Sequence, residues 1–221
     1  MSSRDARLTR VFTENKDKTL SYGHEVLPGL FLANRHSLVF GTDSDDTWLR
    51  TIKADAVVCC AKELTEDVTA LRNSEFGKLI DISLVPMEEA DVKKLKDGME
   101  SLAESYTKRL EEQLREAADI ILSHVSLGRR VVVACKYGYN RSASAVLSYL
   151  VLYQSTSLLD GLEKLRLSRP KVYPNVETWP SLLRIEESSN PQGSGADALT
   201  SPSLTMDEIL TYHAWSPRNK R

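Results

Sequence analysis

Residues 131 to 142 read Val131-Val132-Val133-Ala134-Cys135-Lys136-Tyr137-Gly138-Tyr139-Asn140-Arg141-Ser142. Three consecutive valines suit a strand buried on both faces. The stretch from Ser142 to Leu152 then repeats apolar residues at helical spacing. The residues between must carry the chain from the carboxyl end of a strand into a helix, and such a loop gathers backbone N–H groups around one point that attracts an anion. Cys135, at the start of the loop, would face that anion as a thiolate, because a helix N-terminus and nearby cations favour the ionised thiol. The planar fork of Arg141 is suited to two oxygens of a phosphate. Gly138 permits the sharp turn that brings the amides close to it.

The rest of the chain supplies partners for this strand and helix. Ala54 to Ala61 reads as a strand of small residues, Phe76 to Val85 as another, and Glu25 to Phe40 as two short strands around Ala33-Asn34-Arg35. Asp43 to Ile52 reads as a helix capped by Thr42 or Asp43. Residues 91 to 125 form one long helix or two broken near Gly98, and Ser157 to Leu167 forms an amphipathic one. Strands alternating with helices predict an α/β fold: a central, mainly parallel, twisted sheet with helices on both faces. Ligands of such sheets lie beyond the carboxyl ends of the strands, which puts Cys60, Pro86 and Cys135 around one crevice. Arg166, Arg169 and Lys171 read as a basic rim beside it.

Cys-x5-Arg-Ser, spanning Cys135 to Ser142, resembles the signature of the cysteine-based protein tyrosine phosphatases. The flanks resemble the dual-specificity branch. Glu25 through Asn34 and onward is similar to its opening hairpin, and Val172-Tyr173-Pro174-Asn175 through Glu186 to its closing helix, with Tyr173 in the place of a serine. The resemblance covers about residues 24 to 188. It implies a phosphoprotein substrate, carrying phosphotyrosine or phosphoserine and phosphothreonine, and a two-step reaction through a cysteinyl phosphate with neither metal nor other cofactor. Lys136, Tyr137, Gly138, Tyr139, Asn140 and Arg141 would bind the phosphate, and the Ser142 hydroxyl would assist the departing thiolate.

Two positions depart from the family pattern. The histidine usually found before the cysteine is Ala134, and the usual acidic residue that protonates the leaving oxygen aligns with Pro86. Glu88, Glu89 and Asp91 lie on the same loop, and Asp91 and Glu88 rank first as replacement acids. Cys60 matches a position where some members place a cysteine that forms a disulfide with the nucleophile. The departures keep a second reading open, a pseudophosphatase that binds phosphate with little turnover. Gly138-Tyr139-Asn140-Arg141 also resembles the loop of RNA 5′-triphosphatases, and Lys136 suits an inositol phospholipid.

Composition limits these choices. A net charge of −2 and an isoelectric point near 6.1 give no general attraction to nucleic acid, so none is expected as a partner. No apolar run is long enough to span a membrane, and no secretion signal opens the chain. Three cysteines, two of them adjacent, make no disulfide framework. A cytoplasmic or nuclear protein is expected. The polar residues 1–22 read as a mobile tail or a docked arm, 23–189 as the phosphatase-like domain, and 190–221 as a flexible tail with a short helix near 205–215.

Overall fold

The computed structural model of the protein describes residues 3–12, 23–39, 48–89, 100–189 and 204–214. In chain order the elements are α1 (Ser3–Phe12), β1 (Gly23–Leu27), β2 (Leu30–Ala33), the single turns α2 (His36–Val39) and α3 (Trp48–Thr51), β3 (Ala56–Cys59), α4 (Thr65–Asn73) and β4 (Asp81–Leu84). They continue with α5 (Glu100–Val125), β5 (Val131–Ala134), α6 (Arg141–Gln154), α7 (Leu158–Ser168), α8 (Trp179–Ser189) and α9 (Met206–Ala214).

The five strands form one sheet in the order β1-β2-β5-β3-β4. Only β1 is antiparallel to its neighbour. β5 sits at the centre, with Leu30 beside Val131 on one flank and Ala56 beside Val131 on the other, so Ala33, Ala134 and Cys59 end in one row. The run of valines is buried on both faces because two separate cores sandwich it. One core packs Val131 and Val133 with Leu8, Leu114, Ile121, Val146, Leu150, Leu162 and Trp179, on the side of α5 to α9. The other packs Val132 with Phe31, Leu49, Val57, Leu64 and Val68, on the side of α4. Every residue of α6 from Arg141 to Val151 is buried. A helix sheathed in this way has no freedom to tilt, so its first turn holds a fixed position at the end of β5.

The expected α/β class is the one observed, but several element boundaries differ. The hairpin turns at Pro28-Gly29 rather than at Ala33 to Arg35, which instead end β2. Proline followed by a glycine at φ +75° is the natural pair for a tight turn with a left-handed second position. The strand expected from Phe76 shrinks to β4, preceded by a 3-10 turn at Gly77–Leu79 that leaves Leu79 exposed. Leu167, counted with the apolar face of its helix, is also exposed. The caps expected at Thr42 and Asp43, the break near Gly98 and the candidate acid Asp91 lie outside the described residues.

Both terminal segments carry a docked helix. Leu8 of α1 and Leu204 and Ile209 around α9 are buried in the larger core. Arg7 pairs with Asp160 and Glu163 of α7, and Arg4 reaches Glu208 of α9 at 2.8 Å. Thr205 and Glu208 form the reciprocal cap that the spacing of their residues suggests: the Glu208 N–H donates to the Thr205 hydroxyl at 3.2 Å and the Thr205 N–H to the Glu208 carboxylate at 2.9 Å.

Candidate active site

The loop from Cys135 to Asn140 is pinned from outside by its own carbonyls. The Lys136 carbonyl accepts from the Arg35 N–H at 3.2 Å and the Tyr139 carbonyl from the Tyr173 N–H at 2.8 Å. The Gly138 carbonyl accepts from Arg169 Nε at 2.7 Å. In a trans peptide the C=O and the following N–H point opposite ways, so the N–H groups of Tyr137, Tyr139 and Asn140 turn toward the interior of the loop. The Gly138 N–H points at Cys135 Sγ, 3.2 Å away. This ring of amides at the start of α6 has the shape of a cradle that could hold a tetrahedral anion.

Gly138 is required here for two reasons. Its φ is +70°, and a Cβ at that position would stand 2.5 Å from the Ala33 carbonyl oxygen and 2.7 Å from an Arg169 nitrogen. Asn140 ties the end of the loop to the closing segment: its Oδ1 accepts from the Asn175 N–H at 2.9 Å and the Thr178 hydroxyl at 3.3 Å. Sequence reasoning counted Asn140 among the phosphate-binding residues; its side chain is a strut, and its contribution to the cradle is its backbone N–H.

Cys135 is buried at the floor, with Sγ 3.2 Å from Ser142 Oγ. That places the serine hydroxyl where it can donate to a thiolate. Arg141 is 3% exposed. Its terminal nitrogens hold both oxygens of Glu63 at 2.7 and 2.5 Å, the Met87 carbonyl at 3.1 Å and Glu89 at 3.2 Å, while its buried Nε has no partner. Burial is the largest influence on Arg141 and works against its charge, but the Glu63 hydrogen bonds together with the Cys135, Glu63 and Glu89 charges outweigh it and hold the guanidinium charged. The hydrogen bonds in return hold Glu63 below the usual carboxylate range. Glu63 was not singled out from the sequence. A clue stood in its place just beyond the Cys59-Cys60 strand end, at the crevice.

The candidate acids separate clearly. Glu88, ranked high from the sequence, turns aside to Lys62 and to Arg109 at 3.5 Å, and the Lys62 hydrogen bond holds its pKa below the usual carboxylate value. Glu89 alone of the described candidates on this loop touches the arginine of the cradle. A further carboxyl, Glu177, lies near it; burial pushes it up from the ordinary range, and the Glu89 charge adds to that. Pro86, at the position of the usual acid, is exposed, and its carbonyl accepts from Gln113 at 3.1 Å.

Around the mouth, Tyr137 is 49% exposed and stacks on Tyr139 with ring centroids 5.5 Å apart, and the Lys136 ammonium lies 5.1 Å from the Tyr137 ring. Cys60 donates its N–H to the Ala134 carbonyl at 2.7 Å, beside the start of the loop, while its side chain packs in the core of α5 and α6; Cys59 shares the opposite core with Cys135. Burial pushes the Cys59 thiol up to about 12 and raises that of Cys60 well above its usual value, so both are protonated. Arg169, read as part of an exposed basic rim, is 4% exposed and lies behind the loop. Its position inside the fold follows from the turn after α7, where Pro170 ends the helix. Among the described residues no group of His, Cys, Asp and Glu side chains is arranged to hold a metal ion, and no helix is long and apolar enough to cross a membrane.

A sheet of this order with a cysteine-arginine anion cradle between its central strand and a buried helix defines a cysteine-based phosphatase domain. The profile of the dual specificity phosphatase catalytic domain matches residues 46–188, and the chain belongs to that family. Its curated relatives include bovine dual specificity protein phosphatase 18, 34% identical over 85 residues, which are 38% of this chain and 45% of that protein. Human dual specificity protein phosphatase 21 is 36% identical over 78 residues, 35% of this chain and 41% of that one. The matches thus span under half the length of these two relatives. Solved structures share the fold at lower identity. Human DUSP28 has a TM-score of 0.55 at 19% identity, over 77% of this chain and 96% of that one. The human tyrosine phosphatase-like serine/threonine/tyrosine-interacting protein has a TM-score of 0.57 at 17% identity, over 75% and 96%.

Proposed function

We propose that this protein hydrolyses phosphate monoesters of phosphoproteins through Cys135, with Glu89 as the proton donor. The observation that supports this reading most is the Cys135 sulfur at the floor of a loop whose Gly138 N–H donates to it at 3.2 Å and whose other amides turn inward, with Arg141 buried at the head of the following helix. In the first step the Cys135 thiolate attacks phosphorus, the bond to the ester oxygen breaks, and that oxygen takes the Glu89 proton. The loop amides and Arg141 stabilise charge on the transferring group, where phosphoryl transfer gains most of its rate. In the second step water attacks the cysteinyl phosphate, Glu89 accepts a proton from it, and Ser142 donates a hydrogen bond to the sulfur as it leaves. Glu63 holds Arg141 in register throughout. Cys60, the expected trap for oxidised Cys135, lies one strand over with its side chain in the core opposite the one that Cys135 shares with Cys59.

A second reading, a phosphate-binding module with little turnover, is favoured by two features: both terminal nitrogens of Arg141 are already held by Glu63 and Glu89, and Ala134 lends the thiolate nothing. One experiment separates the two. A small aryl phosphate and phosphotyrosine, phosphoserine and phosphothreonine peptides are incubated with wild type, Cys135→Ser and Arg141→Ala, alongside an inositol phospholipid and triphosphorylated RNA. Turnover that vanishes in both variants supports the hydrolase. Peptide binding by wild type without turnover selects the binding module, and preference for the lipid or RNA replaces the phosphoprotein as substrate.

A further inference from the structure

The family histidine that would steady the cradle from the strand side is Ala134, which is fully buried and bears no polar group. The loop is nevertheless braced by a charged group, and it comes from the other direction. Arg169 caps the end of α7, donating its N–H to the Leu165 carbonyl at 2.8 Å, and its side chain passes behind the loop. Nε donates to the Gly138 carbonyl at 2.7 Å, and Nη1 donates to His24 Nδ1 of β1 at 2.9 Å. Because arginine only donates, that His24 nitrogen is the acceptor of a neutral ring. Among the described residues no carboxylate pairs with Arg169.

A buried guanidinium without a counter-ion is costly and is kept where something anionic stands opposite it. Burial lowers the Arg169 pKa, and among the described residues the group whose charge opposes this effect is Cys135. The groups facing Cys135 are therefore Arg141 at the head of α6 and Arg169 behind the loop. The Glu63 and Glu89 carboxylates stand beyond Arg141, and Cys59 and Cys60 are neutral thiols. Around Arg169 the other titratable groups are His24 and Lys171, and His24 is held below its ordinary value first by burial and then by those two cations.

We propose that Arg169 is a positioning residue for the cradle: backed by His24, it fixes the Gly138 peptide so that the Tyr139 N–H faces the phosphate, and it supplies positive charge to the Cys135 thiolate in place of the missing histidine. This inference rests on Cys135 being the nucleophile, but alkylation of Cys135 tests it without turnover.

Wild type, Arg169→Gln, Arg169→Lys and His24→Ala are treated with iodoacetamide at pH 6 and pH 9, and modification of Cys135 is followed by peptide mass. Only the thiolate reacts, so loss of the charge should slow Arg169→Gln by about 10-fold at pH 6 and by less than about 2-fold at pH 9. Arg169→Lys should restore the pH 6 rate to within about 3-fold, while its kcat for an aryl phosphate stays about 10-fold low because a lysine lacks the fork that aims the Gly138 peptide. A folded Arg169→Gln with the wild-type rate at both pH values overturns the proposal. If that variant does not fold, His24→Ala decides: an unchanged pH 6 rate overturns it, and a fall of about 2- to 5-fold supports it. Absence of turnover in wild type with the alkylation pattern intact would remove the hydrolase reading and leave the brace standing.

Discussion

The cradle and the carboxylate loop stand on either side of the same phosphate position, yet they are built in opposite ways. From Cys135 to Val151 nearly every residue is buried, and each outward carbonyl of the loop that is pinned has a partner on a different element: Arg35 beside β2, Arg169 after α7, Tyr173 before α8. The Pro86–Glu89 segment is anchored by buried Met87 and by its backbone carbonyls, but its two carboxylates sit on half-exposed side chains, Glu88 and Glu89 being 41% and 46% exposed. Buried, mutually supporting hydrogen bonds hold geometry to fractions of an ångström, whereas exposed ion pairs contribute little and rearrange readily. The proposed anion site is thus the more rigid of the two, and the proposed proton delivery by Glu89 rests on the more exposed side chains.

This contrast predicts that binding and chemistry separate under mutation. The largest effect is expected for Cys135→Ser, which should lower kcat by at least about 10⁴-fold while inorganic phosphate still inhibits wild-type and variant binding of a phosphopeptide within about 3-fold of each other. Phosphate affinity lost together with turnover would show that the cradle is not rigid on its own. Gly138→Ala should break the rigid side itself. The strained φ and the clash with Ala33 are expected to cost roughly 1–3 kcal/mol in urea unfolding and to abolish measurable phosphate inhibition.

On the adaptable side, Glu89→Gln should reduce kcat by about 10²-fold for alkyl phosphates but by less than about 10-fold for a nitrophenyl phosphate, whose leaving group needs little protonation. Glu88→Gln should change neither by more than about 3-fold, since its partners are Lys62 and Arg109. Equal losses for good and poor leaving groups would remove Glu89 from the acid role. Far from both regions, Arg4→Ala breaks an exposed pair between the terminal helices and should shift unfolding by no more than about 1 kcal/mol.

The last prediction concerns sign more than size. His24 is held below its ordinary value in the folded chain, by burial first and then by Arg169 and Lys171, so the unfolded chain binds its proton more readily. The stability that the neutral ring contributes is complete above the unfolded value of about 6.5 and declines as pH falls from there toward the folded value. Urea midpoints at pH 7.5 and 5.5 should therefore differ more for wild type than for His24→Gln, which has no proton to take up.

How much of this was legible in the sequence depended on whether the signal was local. The valine run, the cysteine-to-arginine spacing and the Thr205–Glu208 cap are contiguous patterns, and each forms what its neighbours in sequence dictate. Asn140 and Ser142 were found for the same reason. Glu63 and Arg169 lie 72 and 34 positions from Cys135, and charged residues between apolar ones read as solvated; only the pairing of β3 with β5 brings Glu63 to Arg141, and only the return of α7 against β1 brings Arg169 inside. The terminal helix α1 escaped notice because a polar stretch with few apolar residues needs only one of them, Leu8, to find a place in a core that other segments complete. The sequence ranks Glu88 above Glu89, and the structure turns Glu89 to Arg141 instead, since adjacent residues differ only in which way the loop turns them.

Ala134 has a consequence for how such a sequence can change with time. Its methyl group is enclosed at the end of the central strand, level with Ala33 and Cys59 on the two flanking strands. An imidazole there would need space that its neighbours now fill, and overfilling a packed core costs typically about 1–3 kcal/mol. A single codon change back to the family residue would thus be penalised before it could improve catalysis. Neighbouring residues would have to shrink first, and each of those steps alone leaves a void. What residue this position can hold is thus set by the side chains packed around the alanine as much as by the strand itself.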